Sequence, residues 1–170
     1  MAMAIGVLVL ATLLSFSSTT VFAKDYCIYT VFVKTGWWPK AGTDSIIGTQ
    51  FFDSKGNSFK VDNLTEWGGN LLDPGHNYFE RNNVDVFSGM GDCLDTPICG
   101  LNVTSDGSGA HHGWYCDFVE VTSTGVGLDC NTHHFKIEQW LATDAYPYSL
   151  TTSKDECAEP PVTSGLSLLE

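Results

Sequence analysis

Basic charge is what this 170-residue chain has least of. Eight Lys and Arg stand against twenty Asp and Glu, a formal net charge of -12. A nucleic-acid partner calls for a basic footprint that displaces counterions from phosphates, so this composition argues against that class of function. Long apolar runs are scarce too. The run Ile5–Phe16 (IGVLVLATLLSF) is twelve residues, short of the roughly 20 that a membrane-spanning helix needs, and no later segment is long and apolar enough to span a bilayer. There is no CxxC pair, which removes a zinc ribbon and a redox dithiol. Neither a GxSxG elbow, an HExxH helix nor a Cys/His nucleophile pattern occurs, so catalysis has no handle in the sequence. With so many acidic residues, chance carboxylate pairs are plentiful and single out no glycosidase. Convincing helical periodicity is missing throughout.

What is present begins with a targeting segment. Ile5–Phe16 is followed by Ser17-Ser18-Thr19-Thr20-Val21-Phe22-Ala23, and the small residues Val21 and Ala23 fit signal-peptide cleavage. Residues 1–23 are therefore expected to be removed, leaving Lys24 as the first residue of a secretory-pathway protein. The C-terminus, Gly165–Glu170, carries neither a retention signal nor a lipid-attachment tail. The endoplasmic reticulum and the extracellular space both fit.

Six cysteines agree with that compartment: Cys27, Cys93, Cys99, Cys116, Cys130 and Cys157. An even count in a secretory chain reads as a disulfide framework. Cys93 and Cys99 flank a proline turn and form a candidate local pair, while Cys130–Cys157 is a candidate clamp on the tail. Cys116 lies inside the apolar run Trp114–Val121 and is expected to be a buried free thiol. Asn63-Leu64-Thr65 and Asn102-Val103-Thr104 are glycosylation sequons.

Runs rich in β-branched and aromatic residues predict strands at Tyr26–Thr35, Asp44–Asp53, Ser58–Val61, Asn83–Ser88, Ile98–Thr104, Trp114–Ser123, Thr132–Ala142 and Tyr148–Thr152. Asn63–Asn77 reads as irregular, broken by Gly68-Gly69 and Pro74-Gly75. Such closely spaced short strands mean a β-sandwich or barrel. Trp114 and Trp140, within strands, are expected in the core. His133 and His134 are neighbours on a strand and point to opposite faces, so they cannot share a metal ion. His111 and His112 share a loop but have no third ligand at a useful spacing.

The first hairpin stands out. Its loop, Gly36-Trp37-Trp38-Pro39-Lys40-Ala41-Gly42-Thr43, holds two adjacent tryptophans, and from Tyr26 to Thr43 the only charged side chains are Lys34 and Lys40. An aromatic, locally basic tip on an acidic body suits a lipid surface or a protein partner, because indole is favoured where one end is apolar and the other wet. Lys34 and Lys40 are expected to lay their stems along that surface and reach lipid phosphates. Burying both tryptophans fully is worth at most about 4–6 kcal/mol, an affinity no tighter than roughly 0.1 mM.

The order of several short motifs then resembles the PLAT/LH2 domain shared by lipoxygenases and pancreatic-type lipases. They are Thr35-Gly36, Ala41-Gly42-Thr43-Asp44-Ser45, Phe79-Glu80-Arg81 with Val84-Asp85-Val86-Phe87, Ser105-Asp106-Gly107-Ser108-Gly109 before Gly113-Trp114-Tyr115, and Phe135 with Gln139-Trp140-Leu141-Ala142. The chain looks most like the stand-alone, stress-associated PLAT proteins of plants. The resemblance implies an all-β antiparallel sandwich of two four-stranded sheets, with the domain expected over residues 24–154; the composition of Asp155–Ser164 (DECAEPPVTS) reads as a loose end, making 155–170 a flexible tail. The resemblance also implies a non-catalytic docking role in plant stress. Calcium binds some relatives before the second strand; here Asp44, the carbonyls of Lys40 and Gly42, and a neighbouring carboxylate such as Asp106 are the matching donors. Some relatives are acidic just before the loop tryptophan, where this chain has Gly113. Since fold does not fix function, a lectin-like carbohydrate-binding module and a secreted hydrolase with an unrecognised site stand as alternatives.

Overall fold

The computed structural model describes residues 26–157. The expected cleavage at residues 1–23, the start at Lys24 and the end of the tail, 158–170, lie outside them. Among the described residues eight strands form two antiparallel sheets. The strands are β1 (Tyr26–Thr35), β2 (Ile47–Asp53), β3 (Ser58–Val61), β4 (Val84–Asp92), β5 (Ile98–Ser105), β6 (Trp114–Gly125), β7 (Asn131–Leu141) and β8 (Thr151–Asp155). One sheet has the order β4-β1-β6-β7 and the other β3-β2-β5-β8. This is the two-sheet sandwich that the sequence motifs imply.

The core sits between the sheets and follows from alternation. Cys27, Tyr29, Val31, Val33 and Thr35 of β1 face inward and are buried, because successive strand side chains point to opposite faces. They meet Phe51 of β2, Leu101 and Val103 of β5, Val119 and Val121 of β6, and Phe135 of β7. Thr35 is buried with a purpose: its Oγ1 accepts from the indole Nε1 of Trp114 at 3.0 Å.

Several boundaries differ from expectation. Asp44 lies in a loop, since β2 starts at Ile47. A one-turn helix, α1 (Leu64–Gly68), occupies the stretch read as irregular. Asn63 caps it, its Oδ1 accepting from the N–H groups of Thr65 and Glu66, as Asn does well at an N-cap. The last strand falls at Thr151–Asp155, and Glu156 N donates to Cys99 O at 2.9 Å. Ordered structure thus reaches beyond residue 155. Trp140 is only half-buried.

Both guessed disulfides are corrected. The bonds are Cys27–Cys93 and Cys99–Cys157. Sheet order is the reason. β1 runs beside β4 with Tyr26 opposite Asp92, so Cys27 and Cys93 approach to 4.9 Å between Cα atoms. β5 runs beside β8 with Gly100 opposite Asp155, which brings Cys99 to 4.7 Å from Cys157. Cys130, expected in a bond, is free and exposed. Cys116 is free and buried as expected; burial first, then the Asp117 charge, pushes its thiol well above its ordinary range.

At the sandwich end where β2 turns into β3, the buried Asp53 joins that turn to the β4–β5 connection. Its Oδ1 accepts from the N–H groups of Lys55 and Asn57, and its Oδ2 from Asn57 Nδ2, Asp95 N and Thr96 N. Burial alone raises such a carboxyl, but the hydrogen bonds from Asn57, Thr96 and Lys55 outweigh it and hold Asp53 below its ordinary 3.8. Asp53→Asn places an NH₂ or a single acceptor against those donors and is expected to cost about 2–3 kcal/mol at neutral pH. A depressed carboxyl stabilises fully above its unfolded pKa and loses that contribution as pH falls through the lower folded value. The gap between parent and variant should therefore narrow in acid. Urea denaturation at neutral and acidic pH measures it, and equal stability at neutral pH would contradict the assignment.

Candidate docking surface

The opposite end of the sandwich gathers the β1–β2 loop, the segment leading into β4, the β5–β6 loop and the β7–β8 loop. The β1–β2 loop is zipped to its neighbours through its backbone, satisfying groups that burial would otherwise orphan. Gly36 N donates to Tyr115 O and Gly36 O accepts from Asn82 N; Ala41 O accepts from Tyr115 N. Thr43 N donates to Phe79 O, and Asp44 N to His111 O. Thr43 Oγ1 donates to His111 O at 2.7 Å, and Ser45 Oγ to Ser108 O at 2.7 Å. Gly36 is required by close approach: a Cβ there would stand 2.4 Å from the Tyr115 ring. Lys40 takes a left-handed φ of 65° as the tip turns back.

Beneath this zipper Asp85 is wholly buried. Its Oδ2 accepts from Phe79 N at 2.7 Å, and its Oδ1 meets His76 Nε2 at 2.7 Å.

The two tryptophans of the tip both face out. Trp37 is 64% and Trp38 44% exposed, stacked on each other with ring centroids 4.5 Å apart. Trp38 meets Tyr115 edge to face, and Tyr115 meets Trp140, its partner across β6 and β7, at 5.4 Å. The exposed pair is thus the outer end of an aromatic stack rooted in the sheet. The half-buried Trp140 belongs to this stack, a role its strand position alone did not reveal.

The two lysines separate. Lys34 donates its ammonium to Asn82 O and Oδ1 at 2.7 and 3.0 Å, so its head is held by the domain itself. Lys40 is exposed at the tip.

The expected calcium donors are only partly brought together. A shallow hollow of about 360 Å³ is lined by Lys40, Gly42, Asp44, Glu80, Arg81 and His111 among others. Asp106 is not among them. Its Oδ1 accepts from Ile46 N and Ser108 N, and the Ser108 N–H foremost holds the carboxyl below its ordinary value. Glu80, within a motif visible in the sequence, takes that place. Asp44 Oδ2 is engaged by the N–H of His111 at 3.2 Å and lies 2.9 Å from its Nδ1. Calcium calls for about six to eight oxygens. The two carboxylates share the hollow with Arg81, and that of Asp44 is already engaged by His111, which leaves few oxygens for a dedicated site. Among the described residues no group of three or more His, Cys, Asp or Glu is placed to hold a metal ion. The remaining histidines each meet a carboxylate: His133 with Glu156, His134 with Glu120, and His112 Nε2 at 3.8 Å from Asp144.

The family described as embryo-specific protein 3 (ATS3) matches residues 15–147. PLAT domain-containing protein 1 of Arabidopsis thaliana is 52% identical over 147 residues, covering 85% of this chain and 81% of that protein. The chain is a PLAT domain protein of the embryo-specific protein 3 family. PLAT domain-containing protein 3 of the same plant is 53% identical over 102 residues, which are 59% of this chain and 97% of that one. Mouse lipoxygenase homology domain-containing protein 1 is 33% identical over 117 residues, covering 66% of this chain and 5% of that protein. Among solved structures, coral 8R-lipoxygenase, described with calcium activation via a C2-like domain, superposes with a TM-score of 0.53 at 22% identity. It covers 74% of this chain and 16% of its own. A calcium-dependent 11R-lipoxygenase gives 0.53 at 20% identity, over 76% of this chain and 17% of that one. These likenesses establish the PLAT fold.

Proposed function

We propose that this PLAT domain is a non-catalytic docking module of the secretory pathway, whose Trp37–Trp38 tip enters a membrane lipid surface. One observation carries the reading: two adjacent indoles are left in solvent on a loop whose backbone is tied to its neighbours on both sides of the tip, at Gly36 and at Ala41, Thr43 and Asp44. Ordering entropy at the tip is spent in folding, so little remains to be lost on contact. The plant relatives, named for the PLAT domain alone, support a role without catalysis.

Magnitudes define how such docking works. Together the two rings expose about one tryptophan's worth of surface, so their burial yields roughly 2–3 kcal/mol. Millimolar affinity needs about 4. The tip therefore docks briefly and needs a second interaction to stay. Lys40 supplies local positive charge, and screening hides acidic groups more than about 8 Å from the contact. Calcium is not required, because the donors around Asp44 and Glu80 fall short of a dedicated site.

Co-sedimentation with phosphatidylcholine vesicles tests this. Trp37→Ala with Trp38→Ala should abolish binding, whereas Asp44→Ala and a chelator should change it little. Parent-like binding by the double tryptophan variant would overturn the docking role of this loop. Binding that vanishes in chelator would overturn the calcium-independent reading.

The segment before the domain and the two disulfides support the secretory reading. Asn63 and Asn102, both only partly buried, are its proposed glycosylation sites. The intact mass of the natural protein should start at Lys24 and fall on glycosidase treatment. A retained Met1 would contradict secretion.

A further inference from the structure

A second hollow opens beside the tryptophan tip, about 490 Å³ in volume, within the range of roughly 300–1,000 Å³ typical of small-ligand sites. Pro39 and Lys40, which directly follow the tryptophan pair, form one wall; Trp140, His111, His112 and Asp144 line the rest. Gly113 lines it as well. A Cβ added there would meet only Ala142 Cβ at 3.4 Å and Asp144 Oδ1 at 3.8 Å, so this residue leaves open a space that a larger side chain would fill.

The lining selects the chemistry of an occupant. Lys40 can only donate hydrogen bonds and the Asp144 carboxylate can only accept them, while a neutral imidazole does either. His112 Nε2 and Asp144 Oδ2 stand 3.8 Å apart, beyond hydrogen-bond length, so both keep capacity for a ligand. The Asp144 side chain is 71% exposed. His111 has Nδ1 engaged by Asp44, which leaves Nε2. A simple anion here faces Asp144, and a simple cation faces Lys40. An uncharged polyol avoids both conflicts, since each hydroxyl donates and accepts. A pyranose also carries a C–H face that lies flat on an aromatic ring, and Trp140 lines the hollow for it.

We propose that this hollow seats the uncharged glycosyl headgroup of a membrane lipid while Trp37 and Trp38 enter the acyl layer. The inference rests on the docking reading and names its lipid. Two features favour a lipid as the source of the sugar. The hollow opens next to the residues that enter the bilayer, and a body of net charge -12 meets no repulsion from an uncharged surface. The headgroup contact also supplies the second interaction that two half-exposed indoles lack.

Vesicles of phosphatidylcholine alone are compared with vesicles that also contain a monohexosyl diacylglycerol. The parent should bind the second about tenfold more tightly, equal to about 1.4 kcal/mol, and excess methyl hexoside should remove that gain. Asp144→Ala and Gly113→Leu should each lose the gain yet bind plain phosphatidylcholine vesicles as the parent does, with thermal melting confirming that both fold. Trp37→Ala with Trp38→Ala should bind neither vesicle. Equal binding of the parent to both vesicles would overturn the sugar seat while leaving docking intact. Binding to neither would overturn docking itself. A gain that survives in both hollow variants would place the sugar elsewhere, and capture of soluble oligosaccharide without any vesicle gain would overturn the lipid assignment.

Discussion

A carboxylate shut away from solvent, Asp85, anchors the end of the sandwich that meets the outside. Burying a charge is costly unless hydrogen bonds replace the lost water, and here Phe79 N and His76 Nε2 are those partners. The consequences run outward. Holding Phe79 N fixes the residue whose carbonyl accepts from Thr43 N, and Thr43 in turn bonds His111 O. The Phe79 ring meanwhile packs against Phe87 and Trp114, and Trp114 bonds Thr35 at the end of β1. Core packing and loop position thus meet at one buried group. The aromatic tip is held by this chain of contacts rather than by its own short loop.

In the proposed docking, the tip and its surroundings divide the labour of binding. Apolar contact is strong per ring but limited here, because each indole is already partly covered by its neighbour and by Tyr115. Charge adds little reach: Lys34 is occupied by Asn82, which leaves Lys40 as the lysine at the tip. The hollow beside Lys40 contributes direction instead, since donors and acceptors of fixed position select a headgroup where hydrophobic contact cannot. Gly113 links the two themes. Its bare backbone brings no charge to the loop and leaves space in the hollow that Trp140 also lines.

Much of the fold was legible in the alternation of residues. β1 shows its buried face as Cys27, Tyr29, Val31 and Val33, and β3 matches its expected bounds at Ser58–Val61. The helix at Leu64–Gly68 escaped because five residues are too few to show a period, although Asn63 two places before Thr65 is a capping signal in hindsight. Disulfide connectivity escaped for another reason. Cys93 and Cys99 are near in sequence, but Cys93 directly follows β4 and Cys99 lies in β5 of the other sheet, and only the strand order places Cys27 and Cys157 beside them. At the site, Trp37, Trp38 and Lys40 were legible from composition of the loop. The parts played by Lys34, Glu80 and Trp140 depended on which loops lie side by side, and local sequence does not carry that.

The central claim is that Trp37 and Trp38 enter the acyl layer, and tryptophan emission in vesicles of bromine-bearing lipid reads it most directly. Trp37→Phe with Trp38→Phe preserves an aromatic tip but removes those two reporters, leaving Trp67, Trp114 and Trp140. The account predicts strong quenching in the parent and little in the variant. Equal quenching in the two, or none in a parent that demonstrably binds the vesicles, would contradict it.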